Sequence, residues 1–310
     1  MTALTLDRAA ADRGPGSRPR RRPGRTALRL LPLLPAVALM AVFLAGPVLW
    51  SFYGSLTDQA LTGYRAANPE FVGLDNYASL FADGDFWKAV VLTVVFVGAS
   101  AVVGQNVLGM ALALLLRAAS RPLRAVVSAL VVVAWVLPEI VAAFALYAFF
   151  STDGTLNQVL GWVGLTGPTW LITFPMLAVI LANIWRGTAF SMMVYGAALS
   201  EVPPDVTEAA AIDGATGPQR FFRITLPMIR RSVSTNLMLT TLQTLAVFTL
   251  IWVMTGGGPG TDSSTLPVLA YQEAFKFAQV GYGTAIATVT LLVGAVFSIV
   301  YIRVLKPEVD

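Results

Sequence analysis

The chain has 310 residues, 56% of them hydrophobic and only 12% charged; soluble domains carry roughly a quarter charged residues, so the composition is that of a membrane protein. Cysteine and histidine are both absent, which excludes disulfide frameworks, thiolate nucleophiles, histidine-bearing zinc sites and imidazole general bases. The net charge of +4 comes with arginines placed beside apolar runs, without an aromatic-basic stripe or a nucleic-acid motif, so neither a metal nor a nucleic-acid partner is expected.

In chain order, residues 1–29 hold eight arginines among prolines and glycines, a composition expected to give a disordered basic tail whose charge sets topology. Six apolar runs follow, at about Leu30 to Tyr53, Ala89 to Leu116, Ala125 to Phe150, Trp170 to Leu199, Val233 to Thr255 and Tyr282 to Val304. Each is near or above the roughly 20 residues a helix needs to cross a bilayer. Hydrocarbon offers no partner to a backbone N–H or C=O, so every run is predicted to be helical and the fold all-α, with six spans over residues 30–305 and a short tail at 306–310. The first run is too long for the apolar core of a signal peptide and has no clear small-x-small cleavage site, so it is predicted to be a retained span. Pro32, Pro35 and Pro47 in the first run and Pro138 in the third predict kinks or frayed ends.

Charge fixes the orientation. Seventeen of the 21 basic residues fall in the N-terminal tail, the 117–124 connection, the 200–231 loop and the C-terminus, all on one side of an alternating six-span chain. Arg65, Lys88 and Lys276 lie on the other side, and Arg186 lies inside a span. By the positive-inside rule both termini and the 200–231 loop are predicted to be cytoplasmic.

That loop has its own pattern. Pro203 and Pro204 interrupt the fourth helix, and Asp205 caps or stabilises a new short one through Glu208, Ala209, Ala210 and Ile212. Gly214 sits where that helix must stop in a left-handed turn, Pro218 opens a second carrying Phe221, Phe222 and Ile224, and Pro227 ends it. Small alanines allow close approach and phenylalanines want a pocket, so the pattern reads either as a docking element or as an amphipathic loop lying on the inner leaflet.

The run Glu208-Ala-Ala, then Asp213-Gly214-Ala215, then Phe221, Ile224, Leu226 and Pro227 resembles the EAA signature of permease subunits of bacterial ABC importers. Further stretches resemble the carbohydrate branch, with its maltose-type and glycerol-phosphate-type first permease subunits. They are Phe71-Val-Gly-Leu-Asp-Asn-Tyr77 with Phe86-Trp87, Gly154-Thr-Leu-Asn157, Ala182-Asn-Ile-Trp-Arg186, and Met254-Thr-Gly-Gly-Gly-Pro259 with Thr265, Tyr271, Ala274-Phe275 and Gly281-Tyr282. The resemblance covers about residues 30–305. It implies the type I ABC importer permease fold in a bacterial cytoplasmic membrane, with the 200–231 loop as the coupling helix that seats in an ATPase subunit. The partners it implies are a second homologous permease, two ATP-binding subunits, an external solute-binding protein and a sugar. No Gly-x-x-x-x-Gly-Lys-Ser/Thr occurs in the chain, so the chain is not expected to be an enzyme; ATP and magnesium would be held by the partner subunits, with no cofactor on this one.

On the outer side, Thr255, Gly256, Gly257, Gly258 and Pro259 form either a binding-protein contact or a flexible turn. The loop Gly54 to Trp87, with Tyr64, Phe71, Asn76 and Tyr77, presents an aromatic surface to the binding protein or packs as a lid on its own helices. Within the spans, ionisable residues are costly and so are functional candidates. Glu139 and Arg186 differ by about 7 Å in depth at ~1.5 Å rise per residue. They form either an ion pair or a sugar site in which Glu139, Asn183, Arg186 and Gln243 hydrogen-bond hydroxyls while Trp135 or Trp185 stacks on a ring. Gln105 and Asn106 read as links between helices. One departure stands out: relatives show an acid beside a phenylalanine shortly before the TGGGP run, whereas Phe248 is followed by Thr249, so the family's detailed sugar contacts are not carried over. Two other functions remain. A proton-coupled secondary transporter would use Glu139, but no inverted repeat is identifiable; a non-transporting membrane scaffold would need neither intramembrane charges nor a coupling loop.

Overall fold

A computed structural model describes residues 31–305; the expectations for the tails at 1–29 and 306–310 lie outside the described residues. The described residues fall into two compact units, 31–50 and 51–305. The described part of the first is helical, a 3-10 turn at Leu31–Leu33 leading into α1 (Leu34–Gly54). Pro32 lies in the 3-10 turn and Pro35 in the first turn of α1, where a missing N–H has no intrahelical partner to lose. Before Pro47 the helix widens into a π-type turn, Ala41–Ala45, in which the Gly46 N–H reaches back to the Ala41 carbonyl. The predicted kinks thus take the form of altered helical pitch rather than a break.

In the second unit, α2 (Gly84–Ala118) starts on the Asp83 carboxylate, which accepts the Asp85 N–H at 2.9 Å. It widens at Val97–Gln105, and a carbonyl displaced there is satisfied by a side chain, since Asn106 Nδ2 donates to the Ala101 oxygen at 2.6 Å. α3 (Arg121–Val136) and α4 (Glu139–Phe150) divide the third predicted span. Pro138 has no N–H and holds Leu137 extended at ψ 135°. The segment beginning at Glu139 turns 107° away from α3, so the single kinked helix expected over 125–150 is corrected to two. The fourth span, expected from Trp170, also starts later: a turn of helix at Trp170–Thr173 ends at Phe174, and Pro175 opens α5 (Pro175–Ser200).

Two short helices follow, α6 (Pro204–Ile212) and α7 (residues 217–228), then α8 (Arg230–Leu245) and α9 (Thr249–Thr255). The last two replace the single fifth span expected and meet at 48°. α10 (Leu266–Tyr271) runs into a π-type turn, Gln272–Lys276, and α11 (Val280–Leu305) is the last span. Among the described residues four helices are long and apolar enough to cross a membrane alone, and six crossings result if each bent pair counts once.

α5 is the axis of the packing. It lies against α2 where neither helix has room for a side chain: a β-carbon on Gly109 would stand 2.4 Å from Ser191 Cβ, and one on Gly187 2.3 Å from Gln105 Cδ. Small residues let two backbones approach this closely in a membrane, where packing and polar links replace the hydrophobic drive between helices. The links form a buried chain. Asn183 Nδ2 donates to Ser100 Oγ at 2.9 Å, and Gln105 Nε2 to the Asn183 carbonyl at 3.0 Å. Asn236 Nδ2 donates to Asn106 Oδ1 and Ser191 Oγ at 2.8 and 2.9 Å, and the Tyr195 hydroxyl also donates to Asn106 Oδ1. The reading of Gln105 and Asn106 as interhelical links agrees with this.

Candidate functional site

The segment leaving α5 is built by local chemistry. Pro204 occupies the first turn of α6, and Asp205 places its charge at the helix N-terminus, where the dipole favours it, although no side-chain cap forms. At the other end Gly214 has φ +85°, its N–H bonding to Ala211 O at 3.1 Å and the Ala215 N–H to Ala210 O at 2.9 Å. Such paired bonds need a left-handed residue, which only glycine adopts without strain, so Gly214 stops the helix as its position predicts. α7 then opens with Pro218 in its first turn, and Gln219 Oε1 accepts the Thr216 N–H at 2.8 Å. This bond belongs to a capping box, legible in Thr216-Gly-Pro-Gln219 and overlooked in the sequence reading.

Pro227 does not end the second helix. The π-type turn Phe221–Thr225 runs on through Pro227 to Met228, and the joint to α8 falls at Ile229, whose N–H bonds to Thr225 O at 3.1 Å. A turn already widened makes room for the proline ring and loses little from its missing donor. The apolar face also differs from expectation. Phe221, Ile224 and Leu226 are half-buried, whereas Ile212 is 87% and Phe222 65% exposed. Phe221 supports Phe222 edge-on, ring centroids 5.0 Å apart. Glu208, Ala209 and Asp213 are exposed, and Ala210 and Ala215 half-buried, beside them.

Within the spans the structure brings Glu139 and Arg186 together but does not make a tight pair. Glu139 Oε2 lies 3.9 Å from Arg186 Nη2, longer than a charge-assisted hydrogen bond. Glu139 Oε1 accepts the Leu250 N–H at 3.2 Å, satisfying an orphan donor in the first turn of α9. One carboxylate therefore sits where both broken spans restart. Arg186 Nε is buried with no hydrogen-bond partner among the described residues, so the guanidinium keeps capacity for another acceptor. Trp135 packs against Phe190, 6.0 Å between centroids, one turn beyond Arg186, and Trp185 is exposed. Asn183 is corrected: its amide is buried between Ser100 and Thr244 and holds helices together rather than facing a cavity. Gln243 is exposed on α8 and hydrogen-bonds to none of these residues.

The 255–265 loop is held by its own hydrogen bonds. Gly256, at φ +64°, closes α9; Gly257 is buried, and a β-carbon on it would lie 2.9 Å from Val268 Cγ1. Thr255 Oγ1 is 2.7 Å from Ser263 Oγ, Ser263 Oγ donates to Gly258 O at 2.9 Å, and Gln272 Nε2 donates to Gly256 O at 2.9 Å. Gly257 is therefore removed from the expected contact surface, leaving Pro259 exposed and Thr255, Gly256 and Gly258 half-buried. Beside it lies a cleft of about 590 Å³ lined by Trp252, Tyr271, Gln272, Phe275 and Lys276. Its rings pack in sequence, Trp252–Tyr271 4.8 Å and Tyr271–Phe275 5.1 Å apart, and Phe248 stacks on Trp252 at 5.8 Å. Sequence reasoning quoted Tyr271 and Phe275 but missed Trp252. The 54–87 loop divides its residues: Asn76 bonds to the Ser55 and Thr57 carbonyls and Tyr77 to Ser55, while Tyr64 and Phe71 are exposed.

Residues 105–310 match the family described as binding-protein-dependent transport system inner membrane component. The chain belongs to that family. The permease is 32% identical over 287 residues, 91% of each chain, to the sulfoquinovosyl glycerol transport system permease protein SmoG of Agrobacterium fabrum. It is 33% identical over 280 residues, 89% of this chain and 93% of the relative, to the trehalose/maltose transport system permease protein MalF of Thermococcus litoralis. Among solved structures, a chain of a bacterial ABC transporter involved in the import of the polysaccharide alginate shares its fold. The TM-score is 0.77 at 24% identity, over 93% of this chain and 98% of that one. The family is a transport component rather than an ATPase, as the resemblance of the EAA run implied.

Proposed function

We propose that this permease forms one half of the membrane pathway of an ATP-driven, binding-protein-dependent sugar importer in a bacterial cytoplasmic membrane. The reading has six spans with both termini in the cytoplasm, each bent pair crossing once, and a heterodimer with a second homologous permease. Two ATPase subunits bind ATP and magnesium, and an external solute-binding protein delivers the substrate. The basic-residue asymmetry supports the orientation. Sugars and sugar derivatives in the names of relatives at 32% and 33% identity support the substrate class. Trp135 and Phe190, the unpaired donors of Arg186, and the cleft at Trp252 and Tyr271 supply rings and polar groups suited to a polyol.

The observation that carries the reading is the exposed pair Ile212 and Phe222 on a helix–Gly214–helix unit directly following α5. An exposed apolar tip on a short rigid unit is the form of a docking element, and a lever attached to the most buried helix transmits its motion to the pathway. Gly214→Val tests it. At φ +85° a β-branched residue costs about 1–2 kcal/mol or more. In proteoliposomes with the assembled transporter, the variant is expected to hydrolyse ATP while sugar uptake falls at least about tenfold, the effect of some 1.4 kcal/mol. Unchanged uptake would remove the coupling assignment, and uptake that persists without ATP but collapses with the proton gradient would replace the whole reading.

A further inference from the structure

Where α2 stops, α3 starts and α5 ends, three helices line an open cavity of about 380 Å³ whose walls include Arg117, Arg124, Ser128, Val132, Met193 and Gly196. Its mouth is cationic. Arg117 Nη1 donates to the Leu199 carbonyl at 3.1 Å; Arg124 Nε donates to Leu116 O at 2.7 Å, and its Nη2 to Arg117 O and Ala119 O at 3.0 and 3.3 Å. These bonds hold both guanidinium groups over the last carbonyls of α5 and α2, where the helix dipoles favour positive charge. They leave Nη1 of Arg124 and Nε and Nη2 of Arg117 for another acceptor. No carboxylate supplies one: among the described residues the ion pairs are Arg65–Asp58, Lys88–Asp262 and Arg186–Glu139.

The depth of the cavity is apolar. Ser128 and Val132 lie one and two turns along α3 from Arg124, so at ~1.5 Å per residue the slot extends about 12 Å toward the bilayer interior. At Gly196 a β-carbon would meet nothing within 4 Å, so the helix surface there faces open space. Two fixed cations at the end of the spans, above an apolar slot, match an amphiphile with an anionic phosphodiester head and an acyl chain. Guanidinium groups suit phosphate oxygens, and basic pockets between membrane helices are a recognised form of lipid site.

We infer that this cavity binds one anionic phospholipid, its phosphate between Arg117 and Arg124 and the upper part of one chain along Val132 and Met193. A free phosphate shares the head-group chemistry but leaves the slot unfilled. The test uses the assembled transporter in nanodiscs, with phosphatidylglycerol and phosphatidylcholine carrying a photoreactive acyl chain. Phosphatidylglycerol is expected to label α3 and α5 preferentially. Arg124→Gln lowers the preference about fivefold, the effect of one cation near a lipid surface. Because Arg124 also caps α2, Gly196→Leu provides a second variant that fills the slot, keeps both arginines and is expected to abolish labelling with the thermal transition unchanged. Equal labelling by the two lipids, persistence of labelling in Gly196→Leu, or loss of labelling on assembly because a partner subunit covers the cavity would overturn the assignment. Displacement of phosphatidylglycerol by inorganic phosphate at similar concentration would assign the arginines to a free anion instead.

Discussion

Asn106 shows how a single polar residue is used in a span. Its oxygen accepts from both Tyr195 and Asn236 while its amide satisfies the Ala101 carbonyl. Tyr195→Phe removes one donor and is expected to cost ~0.6–1.7 kcal/mol, the range for interhelical bonds in membranes. Asn106→Leu strands the Tyr195 hydroxyl and one of the two Asn236 amide hydrogens, the other keeping Ser191, and is expected to cost about 2–3 kcal/mol, read by denaturant titration in detergent micelles. Glu273 lies outside the spans, in the π-type turn Gln272–Lys276. Its own burial first, then Asp83 and Asp85, push its carboxyl above the ordinary value of 4.5. A raised folded-state pKa means the protonated form suits the fold, so this contribution is present below the unfolded value and is lost as pH rises through the folded one. Glu273→Gln should therefore raise the thermal midpoint at about pH 7 by on the order of 1 °C, with the gain vanishing toward about pH 4 in a fluorescence melt. The polar residues themselves were legible as anomalies in apolar runs. Which way each one faces was not: Asn183 reads as a sugar contact until its amide is found between Ser100 and Thr244.

At the scale of helices, α2 and α5 are held by what is missing. Gly187→Ala puts a methyl group 2.3 Å from Gln105 Cδ, and Gln105 is a side chain that can be removed. The single change is expected to destabilise by about 1–3 kcal/mol, and Gln105→Ala added to it should recover most of that in the same melt. Gly109→Ala is the contrasting case: it meets Ser191 Cβ at 2.4 Å and the Met192 backbone nitrogen at 2.9 Å, so Gln105→Ala should not rescue it. Such glycines are not distinguishable in sequence from Gly98, where a β-carbon meets nothing within 4 Å. The breaks in the spans divide in the same way. Pro138 announces the first because a proline removes its own hydrogen bond and restricts its neighbour. The α8–α9 break over 246–248 contains neither proline nor glycine. It depends on a carboxylate from another helix satisfying Leu250, a contact 111 residues distant in the chain. Gly214 lies at the legible extreme, since its turn is made by residues within one segment.

Across the whole molecule, Glu139 and Arg186 join the two broken spans to the buried axis, and their tasks can be separated. Glu139 both satisfies Leu250 and faces Arg186, so Glu139→Leu leaves an orphan N–H at the start of α9 and an unpaired cation beside it. Its effect is expected on the fold: a loss of about 1–3 kcal/mol in stability, with Glu139→Gln milder because an acceptor oxygen remains. Arg186 is placed differently. Its Nη2 is 3.9 Å from the carboxylate and its Nε has no protein partner among the described residues, so the folded chain draws little from it. On the proposed transport function, this half-buried guanidinium with an unused Nε donor, one helical turn from the Trp135–Phe190 pair, serves an acceptor on the substrate. Arg186→Gln is therefore expected to leave the thermal midpoint within about 2 °C while lowering binding-protein-dependent uptake at least about tenfold, the effect of one charge-assisted hydrogen bond to substrate. The same variant reconstituted with its partners should keep basal ATP hydrolysis, because the proposed coupling face, with Ile212 and Phe222 exposed, is untouched. If Arg186→Gln instead melts early and transports normally once folded, the arginine is a strut between bent spans and its proposed role toward substrate is withdrawn.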